Sequence, residues 1–126
     1  MSATAPIEPA QRDKKCYIGL PWVWRLRYSP GGVQANLSSG YTAKMTISVG
    51  RGLGSAVIRT LTSTAGDITL SSASGEWNMV ISMSDAVTSA FTENPSAWYM
   101  LKLTEGVNDI PLIAGRFPIV YLGSGV

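Results

Sequence analysis

Between residues 41 and 49 apolar and polar side chains alternate without a break: Tyr41, Ala43, Met45, Ile47 and Val49 against Thr42, Lys44, Thr46 and Ser48. A strand turns successive side chains to opposite faces, so this segment buries one face and wets the other only as a β-strand. The same period of two recurs in Trp22, Trp24, Leu26 and Tyr28 against Val23, Arg25 and Arg27, and in Trp77, Met79, Ile81 and Met83 against Asn78, Val80 and Ser82. It recurs again in Tyr99, Leu101 and Leu103. Turn signals separate these runs: Ser29-Pro30-Gly31-Gly32, Ala65-Gly66 and Glu105-Gly106-Val107-Asn108, where Pro presets φ and Gly permits a reversal.

One segment has helical spacing. Ser84 is a good N-cap, Asp85 places acid in the first turn, Val87 and Phe91 lie four apart, and Asn94-Pro95 stops the run, which predicts a helix of one or two turns. A single short helix cannot supply the crossovers of a parallel α/β sheet. The expected fold is therefore all-β: an antiparallel, immunoglobulin-like β-sandwich of about seven strands with one short helix and an extended N-terminal arm. Its closing segment, residues 109–121, holds Pro111 and Pro118, which cannot donate ladder hydrogen bonds, so it is expected at an edge or with a bulge. With 126 residues there is room for one such domain, placed at residues 17–122, after an arm over residues 1–16 with Pro6 and Pro9 and before a Gly-rich tail over residues 123–126.

Composition closes off several chemistries. The chain has no His, which removes imidazole bases, Ser-His and Cys-His nucleophile pairs and His-containing zinc sites. The single Cys16 forms no intramolecular disulfide and no thiolate cluster, and a lone thiol suits a reducing compartment. Arg51-Gly52-Leu53-Gly54-Ser55 lacks the Lys-Ser/Thr of a phosphate loop and a following helical pattern, so it reads as a hairpin loop. Asp67, Glu76 and Asp109 flank turns, where carboxylates cap backbone N–H groups, and no Asp-rich loop suggests a cation site. No catalytic, cofactor-binding or metal residue is assigned. No apolar run is long enough to span a membrane as a helix, and no signal-peptide pattern opens the chain.

Charged residues make up only 14% of the chain, and the net charge of +2 is unevenly placed. Up to Arg27 there are five basic residues against two acidic; beyond it, five against six. The basic residues Arg12, Lys14, Lys15, Arg25 and Arg27 surround Trp22 and Trp24, and large rings with guanidiniums are enriched at protein interfaces. These seven are the candidate interface residues. Too few cations cluster there for a nucleic-acid stripe.

The order of segments resembles a phage family. Residues 36–45, Asn-Leu-Ser-Ser-Gly-Tyr-Thr-Ala-Lys-Met, and the closing Trp98-Tyr99-x-Leu101-x-Leu103 with Leu112-Ile113-x-Gly115-x-Phe117 are similar to the small β-sandwich found at the N-terminus of phage baseplate upper proteins and in short tail or neck proteins. That family tends to show Asp-Leu-Thr-Gly where Asn36-Leu37-Ser38-Ser39-Gly40 stands here. The likeness runs over residues 17–121 and rests on strands and turns, not on a chemical signature. It implies a non-enzymatic virion protein of a tailed bacteriophage, assembled in the bacterial cytoplasm. Such a protein docks or connects tail, baseplate, neck or fibre subunits, as a homo-oligomer or ring, without nucleic-acid, membrane or small-molecule ligand. No fibre shaft or receptor-binding head follows the domain within the 126 residues, which favours an adaptor over a host-recognition role. A capsid decoration or cement protein and a carbohydrate-binding module are the alternatives.

Overall fold

The computed structural model describes residues 10–51, 54–72 and 77–121. In chain order its strands are β1 (Ala10–Gln11), β2 (Cys16–Ile18), β3 (Trp22–Leu26), β4 (Tyr41–Ser48), β5 (Val57–Thr62), β6 (Ile68–Leu70), β7 (Met79–Met83), β8 (Trp98–Glu105), β9 (Asn108–Arg116) and β10 (Ile119–Tyr121). One helix, α1 (Asp85–Ser89), links β7 to β8. The fold is all-β and sandwich-like, as the alternation predicts, but its backbone is divided into ten strands among the described residues.

A five-stranded sheet in the order β1-β9-β8-β4-β5 faces a three-stranded sheet in the order β3-β7-β6, and β10 with β2 forms a short pair. Ala43, Met45 and Ile47 of β4 and Tyr99, Leu101 and Leu103 of β8 are buried on one face, and they meet Trp22, Trp24, Met79, Ile81 and Met83 from the opposite sheet in one continuous cluster. The polar positions of β4 point outward, so the alternation and the sandwich agree along the strand; Val49, expected on the inward face, lies just beyond β4 and is exposed.

Local chemistry explains the connections. Ser84 caps α1, its Oγ accepting the Val87 N–H at 3.3 Å. Gly106 has a φ of 62° at the first position of the two-residue β8–β9 turn, the conformation that a II′ hairpin asks of glycine. Pro111 is accommodated in both anticipated ways: the ladder with β8 shifts register between Leu101 and Lys102, and β1 covers β9 only at Ile113 and Ala114, leaving Pro111 at the edge.

Two expectations are corrected here. Trp77 does not join the buried row of Met79, Ile81 and Met83; it precedes β7 and is 40% exposed. Asn78 is buried instead, because its side chain serves three backbone groups: Oδ1 accepts the Tyr28 N–H at 2.7 Å, and Nδ2 donates to the carbonyls of Tyr28 and Ala35, both at 2.9 Å. Those bonds offset the cost of burying an amide and hold the Pro30–Gly32 turn against the sheet. Second, the arm expected over residues 1–16 is already sheet from Ala10 onward, in parallel pairing with the end of its own chain. Residues 1–9, the Gly52-Leu53 part of the glycine loop, residues 73–76 and the tail from residue 122 lie outside the described residues.

Candidate functional site

The N-terminal strand segments form one strap. Ala10 lies opposite Ile113, Gln11 opposite Ala114, Cys16 opposite Ile119 and Ile18 opposite Tyr121, a constant offset of 103 residues. Between the two paired stretches the ladder continues: Arg12 N–H donates to the Ala114 carbonyl at 3.0 Å, Lys14 N–H to Arg116 at 2.9 Å and Cys16 N–H to Pro118 at 2.9 Å. A parallel pairing is possible here without a helix because almost the whole fold separates the two strands.

Gly115 makes the crossing possible. A Cβ built on it would lie 2.2 Å from the Arg12 carbonyl oxygen, so only glycine lets the strap come this close. Tyr99, directly opposite Gly115 on β8, is fully buried and donates its hydroxyl to the Arg12 carbonyl, and that burial pushes its phenol above its ordinary range. The Asp13 carboxylate accepts the Arg116 N–H at 3.0 Å. Neither Asp13, Tyr99 nor Gly115 stood out in the sequence as a site residue. A glycine inside a strand pattern is a known mark of close backbone approach, and that was the available signal.

The seven candidate interface residues divide in two. Trp22 and Trp24 are only 7% and 5% exposed and offer no docking surface. Their rings stand edge-on to each other at 6.1 Å, Trp22 to Phe117 at 5.3 Å and Trp24 to Tyr99 at 5.7 Å, which closes the end of the core beneath the strap. Trp22 Nε1 donates to the Lys15 carbonyl at 3.1 Å, and the Lys14 ammonium lies 4.7 Å from the centre of the Trp24 ring. Burial, with Arg12 nearby, holds the Lys14 pKa below its ordinary value. The sequence pattern correctly put both tryptophans on one face of β3; that face turns inward.

The cations are brought to the surface. Arg12, Lys15, Arg25 and Arg27 are exposed and Lys14 is half-buried. Arg25 stands on the outer face of β3, with the exposed Val23 two residues before it. The ladders of β7 show where the β3 backbone points. Ser71 N–H donates to the Asn78 carbonyl and Ser82 N–H donates to Asp67, so within β7 Val80 and Ser82 bond toward β6; Asn78, just before the strand, turns its N–H the other way, to the Leu26 carbonyl at 3.2 Å. Met79, Ile81 and Met83 therefore bond toward β3, opposite Leu26, Trp24 and Trp22. The N–H and C=O groups of Val23 and Arg25 point away from the sheet.

The remaining reactive groups serve the fold. Asp67 Oδ2 accepts the Thr62 N–H at 3.3 Å, and Asp109 accepts from Lys102 at 3.1 Å and from the Thr104 hydroxyl at 2.9 Å, which holds its carboxyl below the ordinary range. Glu76 is outside the described residues. Cys16 is buried and its thiol is pushed up to about 11. Among the described residues no three acidic or sulfur side chains group to hold a metal ion, and no helix is long and apolar enough to cross a membrane. An open groove of about 460 Å³ is floored by Leu37, Ile68 and Leu70 and rimmed by Tyr41 and several hydroxyls. Compared with known families and characterised proteins, the chain matches no family model and no protein sequence.

Proposed function

We propose that this chain is a non-enzymatic structural protein of a tailed-bacteriophage virion, an adaptor that docks or connects tail, baseplate or neck components. One observation carries the reading: the polar and titratable side chains described above hold the strap, the turns and the caps, whereas the surface offers a strand edge and exposed apolar side chains. Leu20, Val23, Val49, Val57, Trp77 and Met100 are all exposed. A protein so arranged works by adhering to other chains. The likeness of residues 17–121 to the baseplate upper-protein sandwich supplies the phage context.

Mass spectrometry of purified particles tests it. Copy numbers in small cyclic multiples support a tail or neck position, counts in the hundreds move the chain to the shell as a decoration protein, and absence from particles refutes the virion role. The groove beside Tyr41 favours carbohydrate binding as a second reading, because its lining is hydroxyl-rich and carries no formal charge. Titration with host polysaccharide, followed by amide shifts of Tyr41 and Thr69, decides it.

A further inference from the structure

We infer that the free edge of β3 pairs with the same edge of a second copy of this chain. The two strands run antiparallel about a two-fold axis at Trp24, so that Val23 of each copy lies opposite Arg25 of the other. The inference goes beyond the virion reading and does not depend on it, because copies pair or fail to pair in purified solution.

The two sheets have four ends, and three of them are guarded. At the β9 end the strap occupies Ile113 and Ala114, and beyond it Pro111 removes a donor and the register shifts. At the β5 end Asp67 takes both the N–H and the C=O of Thr62, through its carboxylate at 3.3 Å and its own N–H at 3.0 Å. Arg59 stands opposite the buried Ile47 on the inner face of that strand, and a charge so placed opposes a further strand. The β6 end is three residues long, and the Ser71 carbonyl beside it accepts the Leu37 N–H at 2.9 Å. The β3 end has none of these devices. Over its five residues it holds no proline and no register shift, and the outward peptide groups of Val23 and Arg25 have no partner among the described residues.

The residues of this edge select how two copies meet. A strand added to β3 bonds at Val23 and Arg25 and passes Trp22, Trp24 and Leu26 without a bond, because the peptide groups of those three face β7. With like faces matched, the axis between two antiparallel copies falls at a residue. An axis at Val23 sets Arg25 opposite Pro21, which has no N–H to give. An axis at Arg25 sets two guanidiniums directly opposite each other, where like charges repel. An axis at Trp24 sets Val23 opposite Arg25 twice. Each of those pairs then exchanges both of its N–H···O bonds, so every outward peptide group of the two edges is satisfied. The side chains agree with this register: Val23 and Arg25 are both exposed on the outer face of β3, and the arginine stem can lie along the valine opposite while its charged head stays in water. The edge is thus self-complementary, as a two-fold interface requires, and pairing joins the two three-stranded sheets into one.

Sedimentation of the full chain, from micromolar concentration up to about 1 mM, tests the inference. A reversible monomer–dimer equilibrium is expected, with hydrogen exchange slowing at the Val23 and Arg25 amides as concentration rises. The two copies carry like net charge, so the dimer should tighten as salt rises from about 50 to about 500 mM, whereas attraction to an acidic partner would weaken. Val23→Glu sets a carboxylate opposite each Arg25 and should tighten the dimer about fivefold, and Val23→Lys should loosen it by a similar factor. An axis at Val23 reverses the first of these results, since it sets Glu against Glu. Val23→Pro removes an outward N–H but no bond to β7, and it should abolish the dimer. Lys44→Glu, on the outer face of the other sheet, should leave association unchanged. Unchanged circular dichroism and tryptophan emission verify that each variant folds. A chain that stays monomeric up to about 1 mM overturns the inference. So does a dimer protected at β5 or β9 instead of β3, a dimer that Val23→Pro leaves as tight as before, or one that Val23→Glu loosens.

Discussion

The tightest constraint in the molecule is the crossing of the strap over Gly115, and Gly115→Ala tests it. The φ of Gly115 is not in the left-handed region, so a methyl group there is opposed by contact and not by backbone conformation. That methyl carbon would sit 2.2 Å from the Arg12 oxygen and 2.7 Å from the Arg12 carbonyl carbon, where ordinary contact begins at 3.4 Å. The strap must then retreat by more than 1 Å, the difference between those distances. Such a retreat stretches the Arg12-to-Ala114 bond of 3.0 Å, the Lys14-to-Arg116 bond of 2.9 Å and the Arg116-to-Asp13 bond of 3.0 Å, and it strips the Tyr99 hydroxyl of its acceptor. At a net of about 1 kcal/mol for each of the four bonds, less the roughly 0.4–1 kcal/mol that Gly→Ala contributes through the unfolded chain, the loss comes to about 3–4 kcal/mol. Urea unfolding reads it directly, and the midpoint of thermal unfolding should fall by on the order of 10 °C. Tyr99→Phe adds a cycle: about 1 kcal/mol in the natural background and close to nothing beside Gly115→Ala, because the acceptor has already gone. A Gly115→Ala protein within about 0.5 kcal/mol of the parent, with the Arg12 and Lys14 amides still protected from exchange, refutes the strap as described.

Two further perturbations probe the interior. Asn78→Ala orphans the N–H of Tyr28 and the carbonyl of Ala35, and leaves the Tyr28 carbonyl with the Ala35 N–H as its one partner. It should cost about 2–4 kcal/mol by denaturation; a loss below about 1 kcal/mol would show that water replaces the amide. Cys16, fully buried, should resist a thiol reagent at pH 8 by about a hundredfold relative to the unfolded chain, since its thiol is raised from 9.0 to about 11. Because the folded value lies above the unfolded one, the stabilisation is complete below pH 9 and lost as pH rises toward 11, by about 2–3 kcal/mol, a slope that Cys16→Ala should remove.

Residues with a strict period of two were the easiest to place. The row of Ala43, Met45 and Ile47 is buried as its alternation requires, and Ser84 caps α1. The alternation reports which residues share a face, and for β3 it does not say which face is inward. Trp22 and Trp24 beside Arg25 therefore fitted an exposed interface until the opposite sheet was in place. The strap was illegible for a different reason. Its register depends on residues 103 positions away, and its affinity lies in backbone groups that every sequence has. Only Gly115, where a side chain is forbidden, leaves a trace of the crossing in the composition of the strand. Asn78 hid in the same way, because a polar residue in a polar position announces nothing until its three backbone partners are known.

The strap bears on how such a chain associates, since an N-terminal strand of this kind is a natural candidate for exchange between copies. Exchange needs the connection between strap and sheet to open. Here that connection is Gly19, Leu20 and Pro21, and it is closed twice over. Leu20 N–H donates to the Tyr17 carbonyl at 3.2 Å, and the buried Thr88 takes both sides of the turn, its hydroxyl donating to Leu20 at 2.8 Å and accepting the Gly19 N–H at 3.2 Å. A copy that lends its strap to a neighbour must break these bonds and gains the same seat in return, so the exchange brings no new strand pairing to offset the loss. A free strand edge asks for no such opening, because Val23 and Arg25 already present their peptide groups outward. Thr88→Val separates the two routes. It should loosen the Gly19 turn and promote concentration-dependent dimers of exchanged straps. A variant that forms no exchanged dimers at high concentration shows that opening the Gly19 turn does not release the strap, and places association elsewhere than in strap exchange.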